Sequence, residues 1–91
     1  MPAPDTAAIV TGHSRGLGAG IAAALLARGV RVLGLSRSVH EALAARYGDL
    51  LTERRLDLSD AAALGSWIES GEPNRFLDGA RRAILVNNAA I

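Results

Sequence analysis

Between the apolar run Ala7-Ala8-Ile9-Val10 and an alanine-rich segment reaching Arg28 lies Thr11-Gly12-His13-Ser14-Arg15-Gly16-Leu17-Gly18. No other feature constrains the fold as strongly. The apolar run, bounded by Gly12, is too short for a helix and reads as a buried strand. From Gly16 to Arg28, Leu17, Ile21, Ala24 and Leu25 recur at helical spacing, and Gly29 supplies the stop. Gly12 is expected to turn the chain sharply off the strand, with backbone angles that a side chain forbids. Gly16 is expected to leave room for a pyrophosphate at the helix start, and Gly18 to let the helix approach the sheet. Free N–H groups and the positive end of the helix dipole favour a phosphate there. A glycine-rich turn that binds nothing has the same composition, so the glycines alone state a hypothesis.

The rest of the chain repeats the strand–helix alternation. Residues 30–36, "VRVLGLS", read as a second strand rich in branched side chains. Val39, Leu43 and Tyr47 mark one face of a short helix stopped by Gly48. Residues 50–58, "LLTERRLDL", read as a third strand whose polar middle, Thr52 to Arg55, suits a sheet edge. Ser59 or Asp60 can cap a third helix carrying Ala61, Leu64, Trp67 and Ile68, with Gly71 ending it. A turn-rich connection, residues 72–82, leads to a fourth strand, Ala83 to Val86. The order β-α-β-α-β-α-β calls for a parallel sheet with right-handed crossovers. The predicted fold is α/β: half of a Rossmann-type doubly wound sheet, with strand order 3-2-1-4. Its first two helices would cover one face and its third the other. Ligands bind such sheets where the strand order reverses, here beside strand one.

Composition removes several function classes. With 91 residues, 49% of them hydrophobic and 21% charged, the chain reads as one small soluble domain. A formal net charge of +1, with no basic cluster beyond Arg54-Arg55 and Arg81-Arg82, argues against nucleic acid as a partner. The absence of cysteine excludes disulfides and thiolate metal sites. No apolar run is long enough to span a bilayer, and the N-terminus lacks the pattern of a signal peptide. A cytoplasmic address without a membrane partner is expected.

The glycine spacing is T-G-x-x-x-G-x-G, which resembles the cofactor loop of the short-chain dehydrogenase/reductase family. Two further signatures follow in the same order. Asp57-Leu58, ending strand three, is similar to the family's acidic position that contacts the adenine ring. "LVNNAA", residues 85–90, is similar to the N-N-A-G signature ending strand four, with Ala90 in place of the glycine. Taken alone, Asp57 could begin a turn or assist the helix cap, and Asn87 and Asn88 could be turn residues. The resemblance implies a dinucleotide held by Gly12, Ser14, Arg15, Gly16, Leu17 and Gly18 of the loop. Asp57, Leu58, Asn87 and Ala89 complete it, and Asn87 also helps hold the central strands together. His13 and His40 are expected to be solvated.

Cofactor choice rests on the end of strand two. An NAD-preferring site carries an acidic residue there, on the adenosine ribose. Here the position holds Ser36, followed by Arg37. A carboxylate would repel a 2′-phosphate, whereas a guanidinium grips it with two charge-assisted bonds. Arg15 adds a second positive charge. This resembles the NADP-preferring pattern, so NADP(H) is expected over NAD(H); the alternative is that both arginines are merely solvated.

Hydride transfer to a carbonyl also needs a proton donor. In the resembled family this is the tyrosine of a Y-x-x-x-K motif, assisted by a serine and an asparagine. The one tyrosine here, Tyr47, is followed four positions later by Leu51, and the chain has no lysine. No catalytic residue is assigned, and the chain alone is expected to be inactive. Residues 1–91 are thus expected to be the N-terminal cofactor-binding portion of an oxidoreductase acting between NADPH and a small carbonyl or alcohol. The full-length parent is expected to be a homo-oligomer. A fragment is expected to self-associate through its fourth strand, which lacks a fifth beside it. The alternatives are a non-catalytic dinucleotide-binding or interaction module, or a non-functional truncated remnant.

Overall fold

The computed structural model describes residues 5–89. Four parallel strands, β1 (Thr6–Thr11), β2 (Arg31–Ser36), β3 (Leu51–Arg55) and β4 (Arg82–Asn87), form one sheet in the order β3-β2-β1-β4. The helices between them are α1 (Gly16–Ala27), α2 (Glu41–Tyr47), α3 (Ala61–Glu69) and α4 (Glu72–Leu77). The architecture is the expected α/β Rossmann-type half-sheet. Ala90, the departure from the N-N-A-G pattern, lies outside the described residues. Among the described residues no helix is long and apolar enough to cross a membrane.

The apolar run of β1 is buried along its whole length because both faces of the sheet are covered. Alternate residues serve alternate layers. Ala8 and Val10 join Val32, Leu51, Ala22 and Leu26 of α1, and Leu43 of α2. Ile9 turns the other way, to Leu33, Leu35, and Trp67, Phe76 and Leu77 from the α3–α4 side. Polar β3 occupies the edge beside β2, as its composition predicts.

Four local expectations are corrected. The buried residues of α1 are Gly18, Ala22 and Leu26, not the Leu17 face; Leu17 is 73% exposed. Residues 16–27 contain only Gly, Ala, Leu and Ile, so hydrophobic periodicity cannot choose a face. Close approach chooses it: a Cβ at Gly18 would overlap the Gly12 carbonyl oxygen. In the connection before β4, the chain forms α4 rather than successive turns. Gly71, at φ 81°, reverses the chain, and Pro73 falls in the first helical turn, where its fixed φ is an advantage. β3 stops at Arg55, although Leu56 N–H still donates to the Ser36 carbonyl at 2.9 Å. Val39 precedes α2 instead of lying on it.

One carboxylate fastens the edge strand to the α3–α4 turn. Glu72 accepts from Trp67 Nε1 at 2.6 Å and from Arg54 Nε at 2.7 Å. Burial works to raise its pKa, but the bonds from Trp67 and Arg54 prevail and hold it below the ordinary value of 4.5.

Candidate functional site

The carboxyl ends of β1, β2 and β3 open into one cleft of about 570 Å³, beside the point where the strand order reverses. The β1–α1 loop supplies Gly12, Ser14, Arg15 and Gly16. Ser36 and Arg37 come from the end of β2, and Leu56, Asp57, Leu58 and Ser59 from the chain leaving β3. Asn88 and Ala89 close the side beyond β4. Leu17, Gly18 and Asn87 do not line the cleft. Leu17 points to solvent, Gly18 is packed against the loop, and Asn87 is the last residue of β4.

The loop needs its glycines for distinct reasons. Gly12, at φ +69°, donates its N–H to the Leu35 carbonyl at 2.8 Å and turns the chain away from β1. Gly16 adopts φ +58°, and a Cβ there would meet nothing within 4 Å. Open cleft lies where a side chain would project. Arg15 occupies the N-cap of α1 in extended conformation, with no side chain capping the helix and no acidic residue in its first turn. The leading N–H groups of a helix have no intrahelical acceptor, so this start suits an anion.

Thr11 secures the far wall. Its Oγ1 accepts from the N–H groups of Asn88 at 2.9 Å and Ala89 at 3.0 Å. Its hydroxyl lies 3.2 Å from Asn87 Oδ1, and Asn88 Nδ2 donates to the Gly12 carbonyl at 3.3 Å. Asn87 therefore ties β4 to β1, while Asn88 lines the cleft.

Both histidines depart from expectation. His13 is fully buried, and its Nε2 donates to Glu53 Oε2 at 2.6 Å. The ring lies over Gly34, where a Cβ would drive into the imidazole. His40 is half-buried and caps α2, its Nδ1 accepting from Leu43 N–H at 3.1 Å. Its own N–H donates to Glu53 Oε2 at 2.7 Å. A glycine inside the branched strand "VRVLGLS" was the available signal that another group approaches the backbone. Glu53 pairs in register with Gly34, which brings it under His13.

Across the cleft floor, Ser14 Oγ and Ser36 Oγ share a hydrogen bond of 2.9 Å. Asp57 accepts from Ser59 Oγ at 2.6 Å and from Ser59 N–H at 3.0 Å. These two bonds hold its carboxyl below the usual range against an opposing desolvation, with a still smaller contribution from the Arg37 charge. Asp57 both shapes the turn and faces the cleft; the cap of α3 is Asp60, accepting from Ala63 N–H at 3.1 Å.

A phosphate-favouring loop at the switch point of a doubly wound sheet has known counterparts. The family model described as "NAD dependent epimerase/dehydratase family" matches residues 8–82. The chain belongs to this family. Its structural type is that of the short-chain dehydrogenase/reductases. A short-chain dehydrogenase/reductase from Burkholderia vietnamiensis is 53% identical, with a TM-score of 0.94 over 98% of this chain and 41% of its own. An NADPH-bound short chain oxidoreductase from Pseudomonas aeruginosa PAO1, containing an atypical catalytic center, is 30% identical. It gives a TM-score of 0.76 over 99% of this chain and 36% of its own. A 4-hydroxyisoleucine dehydrogenase complexed with NADH shares the fold, at 20% identity and a TM-score of 0.75 over 94% of this chain and 34% of its own. No curated protein matches the chain. The chain spans well under half the length of these relatives.

Proposed function

We propose that residues 1–91 are the N-terminal NADP(H)-binding portion of a short-chain oxidoreductase that moves hydride between NADPH and a carbonyl or alcohol. The observation that carries this reading is the pair Arg15 and Arg37 lining one cleft, with Ser36 where an NAD-preferring site has its carboxylate. The residues present fit a dinucleotide. An uncapped helix start and the space in front of Gly16 suit its pyrophosphate. The guanidinium groups suit a 2′-phosphate, and the Ser14–Ser36 hydroxyl pair lines the same cleft. Asp57, held ionised at neutral pH, suits the amino group of adenine, and Leu58 its ring face. Asn88 and Ala89 flank the end of the cleft that would lead to the nicotinamide, while Asn87 acts through the strands it joins. When bound, NADPH supplies the hydride. The chain's own groups bind and orient the dinucleotide; no proton donor to a substrate is assigned among the described residues.

NADP(H) is preferred to NAD(H) in this reading because the cleft offers two cations to the 2′ position. The NADPH-bound Pseudomonas relative supports a nicotinamide dinucleotide as the ligand. Arg37→Asp tests the choice. Losing a charged hydrogen bond costs about 1.5 to 3 kcal/mol, so the affinity ratio of NADPH to NADH should fall by roughly tenfold to a hundredfold. Calorimetric titration of both dinucleotides reads it. A ratio unchanged by the substitution would mean that Arg37 is only solvated.

A further inference from the structure

We infer that Glu53 is a positioning residue for cofactor selectivity: one carboxylate oxygen holds the loop bearing Arg15 and the loop bearing Arg37 in fixed relation. The inference rests on the dinucleotide reading above and adds a residue outside the cleft to it. Glu53 sits in the middle of β3, and its side chain is only 10% exposed. A carboxylate so placed is tolerated only if its oxygens are bonded. Its Oε2 receives two donors from distant parts of the chain. His13 Nε2 donates at 2.6 Å, and the His40 N–H donates at 2.7 Å.

Those donors stand close to the two cations in sequence. His13 lies two residues before Arg15, and His40 three residues after Arg37. Both arginine side chains are exposed, so the backbone that carries them sets the region each guanidinium can reach. His13 cannot swing away, since it is fully buried with its ring against Gly34. Glu53 only accepts, so Nε2 carries the hydrogen, and Nδ1 is left buried without a partner among the described residues. Packing alone would be served better by an apolar side chain. The arrangement is accounted for if its function is to set the spacing of two loops. A third bond, donated by Leu43 N–H to His40 Nδ1, extends the tether to the start of α2.

Selectivity, rather than affinity alone, is the readout that separates positioning from general support. Titrate the 91-residue chain and its Glu53→Gln and Glu53→Ala variants with NADPH and with NADH. The Gln amide oxygen can accept the same two bonds, so the NADPH:NADH affinity ratio should stay within about threefold of the parent. Glu53→Ala cuts both tethers, and the ratio should drop by about tenfold or more. Charge alone predicts the reverse, because removing a carboxylate near a bound 2′-phosphate favours that phosphate. A ratio that rises in both variants therefore overturns the inference. So does an unchanged ratio with both affinities falling in step with the melting temperature. If Glu53→Ala does not fold, His13→Phe serves: it keeps a ring over Gly34, cuts one tether, and should lower the ratio about threefold or more. There too, an unmoved ratio overturns the inference. A parent chain that binds neither dinucleotide sinks the functional reading itself, whereas a selective parent with unmoved variants sinks only the role of Glu53.

Discussion

Gly16 is where residue chemistry and proposed function meet most closely. Its φ of +58° is open to glycine and strained for a branched side chain, and the space before it is empty cleft. Gly16→Val should therefore abolish dinucleotide binding while leaving the sheet formed. Circular dichroism together with calorimetric titration checks this, and undiminished affinity would exclude the loop as the phosphate site. At this scale the glycines were readable from spacing alone, since a turn off a strand and a close helix approach each demand a missing Cβ at a fixed offset. His13 was not readable. Its burial depends on Gly34 and Glu53 meeting through the β2–β3 register, a relation between distant segments that no local pattern carries. The same holds for Asn88, which enters the cleft while its neighbour Asn87 ties strands together.

Among the elements, strand existence and order followed from composition. β1 had to be buried on both faces, and β3, with Glu53, Arg54 and Arg55, had to lie at an edge. The facing of α1 did not follow, because a helix apolar all round has no preferred side until Gly18 meets Gly12. Nor did α4, whose first turn depends on the left-handed Gly71. The Glu72 clamp between β3, α3 and α4 makes an acid-sensitive joint. Its pKa is depressed in the folded chain, so its stabilisation is complete above the ordinary value of 4.5 and is lost as pH falls through the lowered one. Glu72→Gln should then destabilise the chain at neutral pH by no more than about 1 kcal/mol, since Arg54 is half-exposed. The difference from the parent should close in acid, once the pH has fallen through the depressed value. Urea unfolding of both proteins at neutral pH and in acid tests this. A gap that persists in acid would mean that the clamp owes nothing to charge.

For the whole molecule, the sheet's two edges are unequal. β3 is short and charged, whereas β4 pairs only with β1 among the described residues and shows Leu85 at 71% exposure. An apolar edge of this kind pairs readily with another copy. The 91-residue chain should therefore self-associate at micromolar concentration, and Leu85→Lys should shift it toward monomer in light scattering. Equal association by both proteins would place the contact elsewhere. We propose that this small sheet presents a cleft for a 2′-phosphorylated dinucleotide. Calorimetric titration of the parent chain, with NADPH and NADH side by side, tests it most directly. We expect saturable binding of NADPH at one site per chain, and affinity for NADH lower by about tenfold or more. No binding of either dinucleotide, or tighter binding of NADH, would contradict it.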